Sequence, residues 1–312
     1  MLRARGLGDL CAAVPALRAL RRSLPHRIVL AAPLELAPLV ALAGIADELA
    51  PQRSLDAPLC RRLAGVDLAI DLHGPGPESG EALERLAPRR AVGFGLEGAP
   101  RWDPDEPERH RWCRLVREAM AVPADPWDLR IEPHATWAEH PERVVVHPGA
   151  ASAARRWPVE RYAEVVRHLV DAGLDVTVTG DPDERELAEV LAALLPDHLR
   201  SHLRIATGRT DVAGLCRIVA EARIVICGDT GVAHLATAFG RPSVLLFGPT
   251  DPRRWGPPAD PAHRVLWAGT TGDPHATRPD PGLLQIETVD VLEAVDAQLA
   301  EASPWSWSSG AR

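Results

Sequence analysis

Val225-Ile226-Cys227-Gly228-Asp229-Thr230-Gly231-Val232-Ala233-His234-Leu235-Ala236-Thr237-Ala238-Phe239-Gly240 reads as a buried strand, a tight turn and a helix. Arg223 to Cys227 is a short β-branched run of the kind buried on both faces of a parallel sheet. Gly228 breaks the run. Asp229 or Thr230 can cap the helix that follows, and Gly231 lets a ligand approach the backbone closely. A helix start with open N–H groups and no bulky side chain attracts an anion, and an ordinary capped helix fits the same residues about as well. Gly240 ends the helix, and Pro242-Ser243-Val244-Leu245-Leu246-Phe247-Gly248 starts another strand. Strand, helix, strand in this order is one unit of a parallel α/β sheet.

The pattern extends in both directions from this stretch. Upstream, the second half of the chain opens on a strand at Arg143 to His147. It continues with a helix from Pro158 to Asp171, a strand at Asp175 to Thr179, a helix from Pro182 to Leu195, a strand near Leu203 to Ala206 and a helix from Asp211 to Ala220. Downstream, Thr288 to Ala300 is an amphipathic helix. The first half begins with a short strand almost at Met1 and a helix from Gly8 to Leu24, with Leu10, Val14, Leu17 and Leu20 at helical spacing. Strands follow at Arg27 to Ala31, Val66 to Asp71 and Arg90 to Gly93, with helices between them, and a helix near Pro107 to Ala121 closes this half. Residues 122–141 hold four prolines (Pro123, Pro126, Pro133, Pro141) and suit an interdomain linker. The chain therefore reads as two α/β domains, 1–130 and 131–302, with a frayed tail at 303–312.

Composition restricts the classes of partner. The net charge of -8 and the lack of a basic block argue against nucleic acid as a partner. No apolar run approaches a membrane span, and the start reads straight into a folded pattern with no signal peptide. Five cysteines without metal spacing fit a reducing, cytoplasmic setting. The chain has no lysine, so all 35 basic residues counted with it are arginine. Schiff-base chemistry and a P-loop lysine are excluded, and any phosphate clamp must use arginine, histidine or backbone.

Three loops after strands stand where open α/β sheets bind ligands. They are Arg3-Ala4-Arg5-Gly6-Leu7-Gly8-Asp9-Leu10, His147-Pro148-Gly149-Ala150-Ala151-Ser152-Ala153-Ala154-Arg155-Arg156-Trp157-Pro158, and Asp229-Thr230-Gly231-Val232-Ala233-His234. Small residues, arginine and a helix start make a diphosphate cradle without a metal ion. In order and spacing these loops, with Ala13-Val14-Pro15-Ala16-Leu17-Arg18 and Gly248-Pro249-Thr250-Asp251-Pro252, resemble glycosyltransferase family 9, the family of the ADP-heptose:lipopolysaccharide heptosyltransferases. The resemblance covers most of the chain. It implies a GT-B fold: two Rossmann-like domains with parallel sheets facing a central cleft, acceptor on the N-terminal one and nucleotide sugar on the C-terminal one. It also implies transfer without metal or other cofactor and with inversion at the anomeric carbon. The partners implied are a nucleoside-diphosphate sugar and a glycan or glycolipid acceptor, with peripheral membrane contact through the acceptor.

Inverting transfer needs a base for the acceptor hydroxyl, and Asp9 is the candidate; a helix-start acid favoured by the dipole is its plainer reading. Gly8, Asp71 and His73 are candidate acceptor contacts. For the donor, Thr230 and Gly231 offer N–H groups and Arg155 an ionic contact, where the resembling heptosyltransferases commonly carry lysine. Ser152 supplies a hydroxyl, since Ala151 stands where the family often has one. Asp229 suits sugar hydroxyls or helix capping better than a diphosphate. His234 suits a phosphate or a structural hydrogen bond equally.

Two further stretches spell other motifs. Gly93-Phe94-Gly95-Leu96-Glu97-Gly98 has dinucleotide-binding spacing, but Ala99-Pro100-Arg101-Trp102-Asp103-Pro104 after it is no helix. Asp181-Pro182-Asp183 spells a metal-binding pair, and capping of a helix start explains it fully. The readings that compete with a glycosyltransferase are a nucleotide-dependent oxidoreductase using the Gly93 loop, a sugar-nucleotide epimerase and a non-catalytic nucleotide-sugar binding protein.

Overall fold

The computed structural model describes residues 1–138 and 140–301; the tail expected to fray at 303–312 lies outside them. The chain divides into one unit of residues 1–134 with 211–213, and a second of 135–210 with 214 onward.

In the first unit, α1 (Leu7–Ser23) follows the opening residues directly. After it come β1 (Val29–Ala32), α2 (Ala37–Ala43), β2 (Glu48–Pro51), β3 (Leu68–Ile70), α3 (Glu78–Glu84), β4 (Arg90–Val92) and α4 (Glu108–Met120). The helical stripe Leu10, Val14, Leu17 and Leu20 is buried, as the spacing predicts. The short strand expected at Met1 is reduced to one bridging residue, Leu2, which pairs in parallel with both Ala31 and Asp71. The backbone ladder is nevertheless made on both sides. Leu2 N donates to Ile70 O at 2.9 Å, Leu72 N to Leu2 O at 3.0 Å, Ala31 N to Met1 O at 2.8 Å and Arg3 N to Ala31 O at 2.9 Å. Residues 1–3 thus join the pairs β1–β2 and β3–β4 into the order β2, β1, opening segment, β3, β4. Leu2, Ala31, Ala69, Leu83 and Leu86 form its core.

The second unit holds β5 (Arg143–His147), α5 (Val159–Asp171), β6 (Asp175–Val178), α6 (Arg185–Ala193), β7 (Leu203–Ile205), α7 (Val212–Ala220), β8 (Ile224–Gly228), α8 (Gly231–Ala238), β9 (Ser243–Phe247), α9 (Pro252–Trp255), β10 (His263–Trp267), α10 (Pro281–Leu284) and α11 (Thr288–Glu301). Its six strands are parallel in the order β10-β9-β8-β5-β6-β7. Every residue of β8 and β9 is buried, which is why their sequences are continuous apolar runs instead of alternating ones. The helix expected from Pro182 to Leu195 starts as a 3-10 turn at Pro182–Glu184 before α6.

In both sheets the winding reverses at the first strand. In the first unit the reversal lies between the opening segment and β3, and in the second between β5 and β8. Loops leaving the carboxyl ends of adjacent strands at such a reversal run to opposite faces and leave a crevice. In the first unit these loops are residues 4–6, leading into α1, and 71–74; in the second they are 148–158 and 229–230, the last leading into α8.

Trp157 fixes the longest of these loops. It is 2% exposed, donates from Nε1 to Ile286 O at 2.9 Å, and meets Tyr162 edge to face at 5.0 Å. Trp157→Ala is expected to destabilise the protein by about 3–5 kcal/mol, the usual cost of truncating a buried tryptophan. Urea denaturation measures it, and a loss well below about 1 kcal/mol would show that the loop is not anchored there.

Candidate functional site

The crevice of the second unit is built by the loops after β5 and β8. The first runs through small residues to a 3-10 turn at Ala153–Arg155. Arg155 Nη1 donates to the Asp229 carbonyl at 3.0 Å, and its Nε to Ser152 Oγ at 3.4 Å. Ser152 Oγ in turn donates to Pro274 O. The Arg155 side chain keeps 21% of its exposure, and its Nη1 stands 3.8 Å from Asp229 Oδ2. Gly228 lets the Arg155 backbone pass close by, since a Cβ there would stand 3.1 Å from the Arg155 carbonyl oxygen. Thr230 is the N-cap of α8, and its side chain makes no capping bond. The first turn of the helix therefore presents its positive end beside Arg155, a combination suited to an anion. His234, further along α8, meets Trp255 edge to face at 6.1 Å.

Buried polar groups lie at the carboxyl ends of β5 and β6. His147 and Thr179 pair at 3.1 Å, and burial pushes the His147 imidazole down to about 4, so at neutral pH it brings no charge. Glu184 is buried, and its Oε2 accepts from Asp181 N at 2.8 Å. A methyl group on Gly149 would overlap the Glu184 carboxylate, so that glycine is needed for close approach. Asp181 and Glu184 form a reciprocal capping box, the role read for Asp181-Pro182-Asp183. Burial, then the nearby Glu184, hold the Asp181 carboxyl above its ordinary value.

In the first unit, Gly6 is the N-cap of α1 and Asp9 lies in the first helical turn. Gly8 is already helical and half-buried. Arg3, fully buried, donates to the Asp9 carbonyl from Nε at 3.0 Å and from Nη2 at 2.8 Å, and to Asp9 Oδ1 at 3.3 Å. Its Nη1 reaches Leu72 O at 2.5 Å. Arg5 Nε donates to His73 O at 2.7 Å, and Asp71 Oδ1 accepts from His73 N at 2.8 Å. Burial, then the charges of Arg5 and Arg3, push the His73 imidazole down to about 4.

The structure thus brings Ser152, Arg155, Asp229, Thr230 and Gly231 together in the second unit. In the first, it ties Asp9 to the Asp71–His73 loop through Arg3. Ser152 is engaged with the 274 carbonyl and Arg155, so its hydroxyl shapes the loop. Arg3, Glu108, Glu184 and Gly149 were not singled out as site residues from the sequence. The available signal was a charged residue, Arg3, inside a buried strand. The Gly93 loop has no helix after it before α4, and Gly93 serves Asp71 instead: a Cβ there would stand 2.5 Å from Asp71 Cβ.

A family model described as "Glycosyltransferase family 9 (heptosyltransferase)" matches residues 101–281. Lipopolysaccharide heptosyltransferase 2 of Escherichia coli K12 is 32% identical over 120 residues, 38% of this chain and 34% of that protein. Lipooligosaccharide heptosyltransferase 2 of Haemophilus influenzae is 32% identical over 116 residues, 37% of this chain and 34% of that protein. The matching stretch spans about a third of the length of these curated relatives. Among solved structures, E. coli ADP-heptose lps heptosyltransferase II superposes with a TM-score of 0.79 at 20% identity, covering 96% of this chain and 98% of that one. The family 9 glycosyl transferase of Veillonella parvula gives 0.79 at 20% identity, with 96% of each chain covered. The E. coli heptosyltransferase WaaC with ADP-2-deoxy-2-fluoro heptose gives 0.69 at 20%, covering 95% and 98%. These likenesses establish the fold, GT-B.

Burial holds the Asp71 carboxyl above its ordinary value, against the lowering pull of hydrogen bonds from Ser79 and the His73 amide and of Arg3 and Arg5. The folded chain therefore keeps this proton to higher pH than the unfolded chain. Its contribution to stability is full below the unfolded value and is lost as pH rises through the folded one. Asp71→Asn keeps the acceptor for His73 N and removes the titration. Denaturation in urea should show the variant gaining on the wild type as pH rises from about 4 to 7. A stability difference that stays flat or shrinks over that range would refute the assignment.

Proposed function

Because this chain belongs to glycosyltransferase family 9, we propose that it is an inverting, metal-independent glycosyltransferase. It moves a sugar, heptose as the family default, from a nucleoside-diphosphate sugar to an acceptor hydroxyl. The observation that carries this reading is the Arg155 guanidinium held on the Asp229 carbonyl beside the uncapped start of α8. Two related solved structures are described with ADP and with an ADP-heptose analogue, which makes ADP-heptose the first donor to try. The curated relatives are named for lipopolysaccharide or lipooligosaccharide, so the acceptor class is a glycolipid, reached by peripheral contact with a membrane surface. No helix among the described residues is long and apolar enough to cross a membrane. None of the five cysteines is in a disulfide, which fits action in a reducing cytoplasm.

Asp9 accepts the proton of the acceptor hydroxyl as its oxygen attacks the anomeric carbon and the bond to the diphosphate breaks. Negative charge grows on the leaving phosphate. Arg155 and the N–H groups of Thr230 and Gly231 stabilise it, with positive charge that needs no metal ion. His234 joins the phosphate side, Ser152 holds Arg155 in place, and Asp229 takes sugar hydroxyls. Gly8 keeps bulk away from the acceptor beside Asp9, and Asp71 and His73 line the acceptor loop.

Calorimetry with ADP, GDP and UDP, with and without EDTA, tests the donor side. Binding should survive EDTA, and its loss would remove the metal-free mechanism. Arg155→Ala should weaken nucleotide binding by about 1.5–3 kcal/mol, the scale of a charge-assisted contact.

Asp9→Asn separates base from cap. It should leave nucleotide affinity nearly unchanged and lower turnover about 10²–10⁴-fold. Asparagine still caps a helix start, so near-normal turnover would take Asp9 out of the mechanism.

A further inference from the structure

Arg3 is an unusual residue to find fully buried in the opening strand of a sheet, and its partners account for it. Its guanidinium spreads over three separate parts of the first unit. Nε and Nη2 hold the Asp9 carbonyl, Nη2 also reaches Asp9 Oδ1 at 3.3 Å, and Nη1 holds the Leu72 carbonyl in the neighbouring loop. On the other side Nη2 meets Glu108 Oε1 at 3.1 Å, at the start of α4. The face of the guanidinium lies 4.7 Å from the Trp112 ring centroid. Glu108 is itself buried and fixed. Trp112 Nε1 donates to it at 2.8 Å, and Arg111 pairs with its other oxygen. Arg111 is anchored to the Asp103 and Glu106 carbonyls and lies over Trp102 at 4.1 Å.

Burying such charges is costly unless each is paired and hydrogen-bonded, and this chain of groups leads outward to one partly exposed carboxylate. Asp9 retains 27% of its side-chain surface. Its Oδ1 is turned towards Arg3, and Oδ2 lies on the side of Gly6, where even a Cβ would stand 3.9 Å away. We propose that Arg3, braced by Glu108, is the positioning residue for Asp9: it fixes the backbone and Oδ1 and leaves Oδ2 as the oxygen that receives the acceptor's proton. This rests on the reading of Asp9 as the base. A lysine could not replace Arg3, because one ammonium cannot reach the Asp9, Leu72 and Glu108 acceptors from the directions that a planar fork spans.

Two measurements on the full chain test it. Crystal structures of the wild type and Arg3→Lys should show the Asp9 carboxylate displaced in the variant, with α1 intact beyond its first turn. An unmoved carboxylate overturns the proposal. Turnover is read as ADP release from ADP-heptose with heptose-deficient lipopolysaccharide, or with the donor the nucleotide panel selects. Arg3→Lys should lower kcat about tenfold to a hundredfold, the scale of a slightly misplaced catalytic group, with KM for the donor and ADP affinity unchanged. In the Asp9→Asn background the same substitution should change turnover less than twofold, because Arg3 acts through the lost carboxylate. Near-wild-type kcat for Arg3→Lys, or effects that multiply in the double variant, overturns the positioning role alone. Normal turnover in Asp9→Asn by itself sinks the base reading instead. If Arg3→Lys does not fold, Glu108→Gln, which leaves Arg3 in place and keeps the shape of its partner, takes its place in both measurements with the same expected pattern.

Discussion

A parallel sheet whose winding reverses cannot cover the ends of the two strands at the reversal. Each crossover must be right-handed, so the connections on either side leave for opposite faces. This constraint acts once in each unit. In the second it opens the ends of β5 and β8, and in the first the ends of the opening segment and β3. Every candidate site residue lies in, or one helical turn beyond, a loop released at these reversals. The fold therefore decides where chemistry can occur before any side chain is considered.

Arginine then does the work that is divided between lysine and arginine in most chains. With no lysine in the sequence, its cations are planar forks with several donors. Arg155 uses its fork to tie two loops, through Ser152 and the Asp229 carbonyl, from a side chain that stays partly exposed. Arg3 uses the same geometry in a fully buried place, where the partners available on three sides compensate for the desolvated charge. The two residues illustrate one chemical capacity at opposite degrees of burial.

Small residues in the loops have separate physical reasons. Gly228 makes room for the Arg155 carbonyl, Gly149 for the Glu184 carboxylate and Gly93 for Asp71. Gly93 belongs to a stretch whose spacing matches a dinucleotide motif, but its lack of a side chain serves close packing. Spacing alone did not distinguish these uses; the missing helix after the loop did.

The sequence by itself determined the local structure wherever an element is buried on both faces or has a full amphipathic stripe. The strands at Arg143–His147 and Ile224–Gly228 and the helix at Leu7–Ser23 were legible because continuous β-branched runs and helical spacing reflect each element's own surroundings. The turns carrying Arg155 and Asp229, and the helix start carrying Asp9, were legible for the same reason, as the junctions between such elements. The edge strands Glu48–Pro51 and His263–Trp267 were not, because half-exposed residues leave no continuous apolar signal. The opening strand was expected, but not that a single residue, Leu2, would join two strand pairs, since that depends on backbone hydrogen bonds from chains far apart in sequence. The strand order, and with it the reversals, was likewise decided only in three dimensions. So was the contact of Arg3 with Glu108, 105 residues away, and of Gly149 with Glu184. A sequence pattern reports how each residue is buried; which distant groups share that burial is settled only when the chain closes on itself.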